Sequence, residues 1–235
     1  IVVGVHRYFL PLGLVMISLS VAALCVQPFL YAALLIEMMV LVSIPFLVPP
    51  GKIVGQGVIR YLIYQTLAVP AILFAGWLTV RVEANPTDSE FLIKALMFFV
   101  LGFSLWLATF PFFTWIPQLA NEIQPYQAGF LFSILPMTVS FLLIDFINAY
   151  AWLRDFPMLS TVLQVLGVLM VTVGGIWAGF QSNAARLFGF AVIIEIGFSL
   201  LAISLQTQYG MNIFATSLLP RLLSLALCAL SLSIL

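Results

Sequence analysis

The stretch "FPFFTWIPQLANEIQP", Phe110 to Pro125, decides how the rest of the chain is read. Pro111, Pro117 and Pro125 fall within sixteen residues, and both flanks are almost continuously apolar. Proline lacks a backbone N–H and crowds the preceding turn, so no single helix runs through all three. The flanks identify the solvent. Of 235 residues, 64% are hydrophobic and 7% charged, whereas a soluble domain carries roughly a quarter charged residues. Such a chain has too little polar surface for water and reads as an integral membrane protein. In hydrocarbon an unpaired N–H or C=O costs several kcal/mol, so irregular backbone must be buried in protein or line a wet cavity. A broken helix in a membrane therefore points to an ion or substrate path. A proline kink followed by an interfacial half-helix is the plainer reading of the same residues.

Working outward, a hydrocarbon core of ~30 Å needs about 20 apolar residues per helix. Punctuation by proline, glycine and charge gives eight spans, near Tyr8–Val26, Pro28–Leu47, Val58–Val80, Phe91–Phe113, Tyr126–Tyr150, Met158–Phe180, Leu187–Gln206 and Asn212–Leu235. The connectors are "VPPGKIVGQG", "RVEANPTDSE", "AWLRDFP" and "QSNAAR". Period-two alternation is missing, which argues against a transmembrane barrel. The fold class expected is an all-α polytopic bundle with its fourth helix broken. Arg7, Lys52, Arg60 and Arg186 fall on one side, and Arg81, Lys94 and Arg154 on the other. That balance leans toward a cytoplasmic start for the first span. The chain does not open with Met and stops inside an apolar run, which reads as part of a longer membrane protein.

Ionisable residues inside spans carry the functional signal, because a charge at mid-bilayer costs at least ~2.5 kcal/mol unless it faces a cavity or a partner. Glu37 in "LLIEMMVLV" and Glu195 in "FAVIIEIGF" are central; Lys94 and Asp145 lie near span ends, where snorkelling accounts for them. Arg60 follows Glu37 by 23 residues and Arg221 follows Glu195 by 26. Two Glu–Arg pairs are expected, Glu37 with Arg60 and Glu195 with Arg221. The second glutamate comes five spans after the first, so the two helices cross in opposite directions, the pattern of an inverted five-helix repeat. Residues 1–150 would form the first repeat, with its break near Pro111 and Pro117, and residues 151–235 part of a second.

Other signals are weaker. Gly175 and Gly179 form a GxxxG suited to close helix contact. "GKIVGQG" lacks phosphate-loop spacing and a flanking strand. Cys25 and Cys228 read as small hydrophobes in packed helices, and His6 is the sole histidine, so no metal or redox motif emerges. A formal net charge of zero argues against nucleic acid. No catalytic constellation suggests a self-contained active site.

With those residues in view, the chain resembles the antiporter-like membrane subunits of proton-translocating NADH–quinone oxidoreductase, respiratory complex I, which are related to Mrp-type antiporter subunits. "GFSLWLATFPFFTWIPQLANE" is similar to the family's first broken helix, "LIEMMVLVSIPFLV" to the segment holding its membrane glutamate, and "QSNAARLFGFAVIIEIGFSLLAI" to the start of its second repeat. "LLPRLLSLAL" is a fainter match that puts Arg221 at a lysine. The resemblance implies proton movement through glutamate, lysine and histidine side chains joined by water, with Glu37, Arg60, Glu195 and Arg221 along the path. It also implies other integral membrane subunits as partners in a bacterial inner membrane or an equivalent energy-transducing membrane. NADH, flavin, iron–sulfur clusters and quinone would be held by those partners, with no cofactor in this chain. Departures are plain. Trp106 stands at the family's broken-helix lysine, Phe113 at its histidine and Gln118 at its aspartate, while Phe130–Ser140 holds neither lysine nor histidine. Arg60 replaces a lysine and Glu195 an often-found histidine; arginine stays charged and relays no proton. The expected function is a membrane subunit of such an oxidoreductase, the alternatives being an antiporter subunit without redox partners and a non-conducting structural subunit.

Overall fold

The fourth apolar run ends as a helix at Trp106, before it meets a proline. The computed structural model describes residues 8–48, 51, 53–84, 89–154 and 156–234. Arg7, Lys52 and connector residues 85–88 lie outside the described residues. The helices follow in the order α1 (Phe9–Cys25), α2 (Leu30–Leu47), α3 (Gln56–Ala84), α4 (Ser89–Trp106), α5 (Trp115–Glu122), α6 (Pro125–Ala149), α7 (Ala151–Arg154), α8 (Pro157–Gly179), α9 (Ala184–Ser204) and α10 (Gln208–Ile234). A 3₁₀ turn, Phe112–Thr114, joins the break to α5. Among the described residues six helices are long and apolar enough to cross a membrane, and α1 is a shorter apolar helix. The chain is a polytopic helical membrane protein. The expected span Phe91–Phe113 is corrected to Ser89–Trp106, followed by the break.

Neighbouring helices pair as α1 with α2, α3 with α4 and α8 with α9, and α6 touches α1, α4, α9 and α10. The short α5 lies between α3 and α9. Lipid is as apolar as leucine, so burial alone does not hold such helices together; shape and aromatic contact do. At one end Phe29, Phe99 and Phe146 cluster, with ring centroids 4.5 Å apart for Phe29–Phe146 and 4.8 Å for Phe99–Phe146. At the other end Phe9 stacks on Phe46 at 5.1 Å and meets Tyr126 at 5.0 Å.

Close helix contact uses different glycines from those expected. A Cβ on Gly175 or Gly179 would meet nothing within 4 Å, so this GxxxG faces outward. The tight crossing is one turn and more earlier: a Cβ on Gly197 of α9 would lie 2.9 Å from the Gly167 carbonyl oxygen of α8. Cys25 and Cys228 are likewise outward-facing, not packed inside as expected. Gly197→Ala should therefore destabilise the solubilised chain by about 1–3 kcal/mol through backbone overpacking. Gly175→Ala should be neutral or stabilise by up to roughly 1 kcal/mol through helix propensity. Unfolding in mixed micelles compares them, and equal effects would remove the α8–α9 crossing as the cause.

Candidate functional site

The break is built by a helix stop that contains no glycine. Ala108 takes φ 50°, in the left-handed region. Its N–H donates to the Leu105 carbonyl at 3.3 Å, and the Thr109 N–H donates to the Ser104 carbonyl at 2.9 Å. These two bonds make a Schellman termination with alanine where glycine is usual. The Trp106 carbonyl, freed by the stop, accepts from Gln65 Nε2 of α3 at 3.1 Å. Pro111 follows just outside the helix, and Pro117 sits buried within the first turn of α5.

Tertiary contacts then hold α5. The Glu122 carboxylate accepts from the Gly57 N–H at 2.9 and 2.7 Å and from the Val58 N–H at 3.3 Å. A carboxylate at these first amides of α3 satisfies orphan donors and the positive end of the helix dipole. A Cβ on Gly57 would lie 2.6 Å from the Leu119 nitrogen and 2.8 Å from Glu122 Oε2, so glycine permits the approach. Thus Gly57, the last glycine of "GKIVGQG", receives a carboxylate from its own chain. On the other flank Asn183 caps α9 by accepting from the Ala185 and Arg186 N–H groups, and it donates to Asn121 Oδ1 of α5 at 2.7 Å. Glu122 and Asn183 were missed in the sequence reading; the glycines near Lys52 were the available signal for the first.

Between α2 and α3 runs a polar ladder. Glu37 Oε1 accepts from the Thr66 hydroxyl at 2.9 Å, and Ser43 and Tyr61 hydroxyls lie 3.0 Å apart. Ser43 donates to the Val40 carbonyl at 2.6 Å, so the Tyr61 hydroxyl is the donor between them. Glu37 Oε2 is buried and has no hydrogen-bond partner among the described residues. The expected Glu37–Arg60 pair is not formed among the described residues. Arg60 is adjacent to Tyr61 and so level with Ser43, and at 1.5 Å per residue that is roughly 9 Å along the axis from Thr66. Arg60 points outward there.

Glu195 and Arg221 do meet. Arg221 Nε donates to Glu195 Oε2 at 2.7 Å, with side-chain exposures of 13% for the arginine and 32% for the glutamate. The guanidinium also donates to the Ser199 hydroxyl and, at 3.0 Å, to the Ser217 hydroxyl. This pair lines both a 710 Å³ groove beside α8 and a smaller cavity beneath α6. Arginine matched by three oxygens is a fixed charge that holds the Glu195 carboxyl in place.

Near the break several buried polar atoms lack a partner among the described residues: Gln65 Oε1, Trp106 Nε1, Thr109 Oγ1, Trp115 Nε1 and Gln118 Oε1. Such atoms are where internal water binds in proteins. Trp106 itself is fully buried and packs edge-on against Phe103 at 5.7 Å. Phe113 stacks with Phe110 at 6.2 Å. Neither ring titrates.

Compared with known proteins, residues 56–235 match the family model described as "NADH:quinone oxidoreductase/Mrp antiporter, TM". The chain belongs to this family. The matched region takes in the break, Glu195 and Arg221, while Glu37 precedes it. NADH-quinone oxidoreductase subunit N of Campylobacter hominis is 27% identical over 151 residues, 64% of this chain and 29% of that protein. Subunit N 2 of Solidesulfovibrio magneticus is 25% identical over 219 residues, 87% of this chain and 46% of that protein. NAD(P)H-quinone oxidoreductase chain 4 1 of Synechococcus elongatus is 27% identical over 164 residues, 65% of this chain and 31% of that protein. The chain spans less than half the length of each of these relatives.

Proposed function

We propose that this chain is a membrane subunit of a proton-translocating NADH–quinone oxidoreductase or a close relative, and that it forms part of a proton path. One observation carries the reading: Glu37 lies mid-span with a buried Oε2 that no group among the described residues satisfies. A carboxyl so placed takes up and releases a proton through water, the remaining donor class at that depth. Family membership and the names of the relatives support the setting. In this reading Thr66 orients Glu37, and the unpaired polar atoms of Gln65, Thr109 and Trp115 hold ordered water beside the break. Glu195 stays ionised against Arg221 and shapes the local field without exchanging a proton. Arg60 takes no direct part. The electron carriers, NADH, flavin, iron–sulfur clusters and quinone, reside in partner subunits.

The inverted repeat belongs to the same proposal, with residues 1–150 as the first unit and 151–235 as part of the second. Glu37 faces α3 from α2 and Glu195 faces α10 from α9. The two carboxylates thus keep the same relation to the following helix, on helices that cross in opposite directions.

A second reading, a non-conducting structural subunit, is favoured by Trp106 and Phe113, whose aromatic packing fills the positions of the family's lysine and histidine. The purified complex in proteoliposomes tests both. Proton uptake driven by electron-donor oxidation, with flavin and iron–sulfur absorbance in the preparation, supports the proposal. Cation-for-proton exchange without a donor would replace it with an antiporter subunit. An assembled complex with no proton flux would favour the structural reading.

A further inference from the structure

At the end of the bundle opposite Glu122, a 600 Å³ cup opens between the α1–α2 connection and the last turns of α6. Gln27, Phe29, Asp145, Asn148 and Tyr150 line it. Asp145 belongs to "FLLIDFINAY", which closes a membrane helix that ends at Ala149. Among the described residues it makes no ion pair and no hydrogen bond. Among the described residues the Arg81 guanidinium lies 4.6 Å from the Trp77 ring centroid, Lys94 pairs with Glu90 and Arg154 is engaged as well, and none of the three pairs with Asp145. An isolated carboxylate near hydrocarbon is costly and normally faces a partner. The snorkelling expected of Asp145 from its place near a span end falls short, because an aspartate side chain does not reach far along the helix.

We propose that this cup receives a basic side chain, lysine or arginine, from a transmembrane helix of a partner subunit. The proposal rests on the chain's working as one subunit of a larger complex; proton conduction is not required for it. Charge complementarity selects the occupant. The cup offers a carboxylate, two side-chain amides and aromatic faces, a set that matches an ammonium or a guanidinium. Asp145 supplies the carboxylate among the residues that line the cup. A zwitterionic lipid headgroup would carry a phosphate beside its ammonium, and the Asp145 carboxylate would repel it. A basic side chain brings the cation alone.

The test places a photo-crosslinking amino acid at Asn148, in the intact complex in its own membrane. A cross-link to another membrane subunit is expected, in a peptide with lysine or arginine within one helical turn of the attachment point. Its yield should fall by about fivefold or more in D145K and also in D145N, at equal amounts of membrane-inserted chain. D145N preserves shape, so it decides the matter if D145K does not insert. Adducts only to lipid or to the same polypeptide would overturn the proposal. So would no adduct, or a subunit adduct indifferent to Asp145. Proton flux in the same membranes separates the two failures: flux kept without the cross-link removes the docking site alone.

Discussion

Replacing Glu37 with glutamine is expected to lower proton transport by the intact complex by roughly tenfold or more, while the amount of assembled subunit stays near wild type. Glutamine keeps the shape and the acceptor for Thr66, and it removes only the exchangeable proton. Assembly should hold because no cation depends on Glu37: Arg60 is outward-facing and the described residues give Glu37 no ion pair. Glu195→Gln should reduce transport less, since Glu195 is already committed to Arg221. Donor-driven proton uptake, normalised to assembled complex, compares the two. Undiminished flux in E37Q would leave Glu37 a structural acceptor.

Arg221→Met is expected to destabilise the chain by about 3 kcal/mol, because it leaves the Glu195 charge uncompensated in hydrocarbon. Lipid does not solvate the exposed part of the pair, so its partial exposure offers little relief. Adding Glu195→Gln to Arg221→Met should restore most of the loss. Glu195→Gln alone should cost less than Arg221→Met, since the guanidinium keeps the Ser199 and Ser217 hydroxyls. Unfolding of the single and double variants in mixed micelles measures the coupling. Additive losses, with no recovery in the double variant, would show that the pair contributes nothing as a pair.

The helices were legible because twenty-residue apolar runs have few alternatives in a bilayer. The fourth helix was expected to end near its prolines, yet it stops at Trp106, since Ala108 supplies the left-handed residue without the glycine that would mark it. Glu195–Arg221 was legible from spacing, because only residues 205–207 separate α9 from α10. The same spacing failed for Glu37. Residues 48–55 form a longer link between α2 and α3, which moves the residue level with Glu37 on from Arg60 to Thr66. The carboxylate of Glu122 on the amides of Gly57 and Val58 joins residues 65 and 64 positions apart, beyond any local pattern. Gly175–Gly179 had the right spacing on the wrong helix face.

The central claim is that Glu37 exchanges a proton during turnover while Glu195 remains a carboxylate held by Arg221. Infrared difference spectroscopy of the intact complex, cycled between donor-reduced and oxidised states, measures this at the carboxyl groups themselves. A protonated-carboxyl C=O band that disappears in E37Q and persists in E195Q is the predicted result. A band that persists in E37Q and disappears in E195Q would contradict the account.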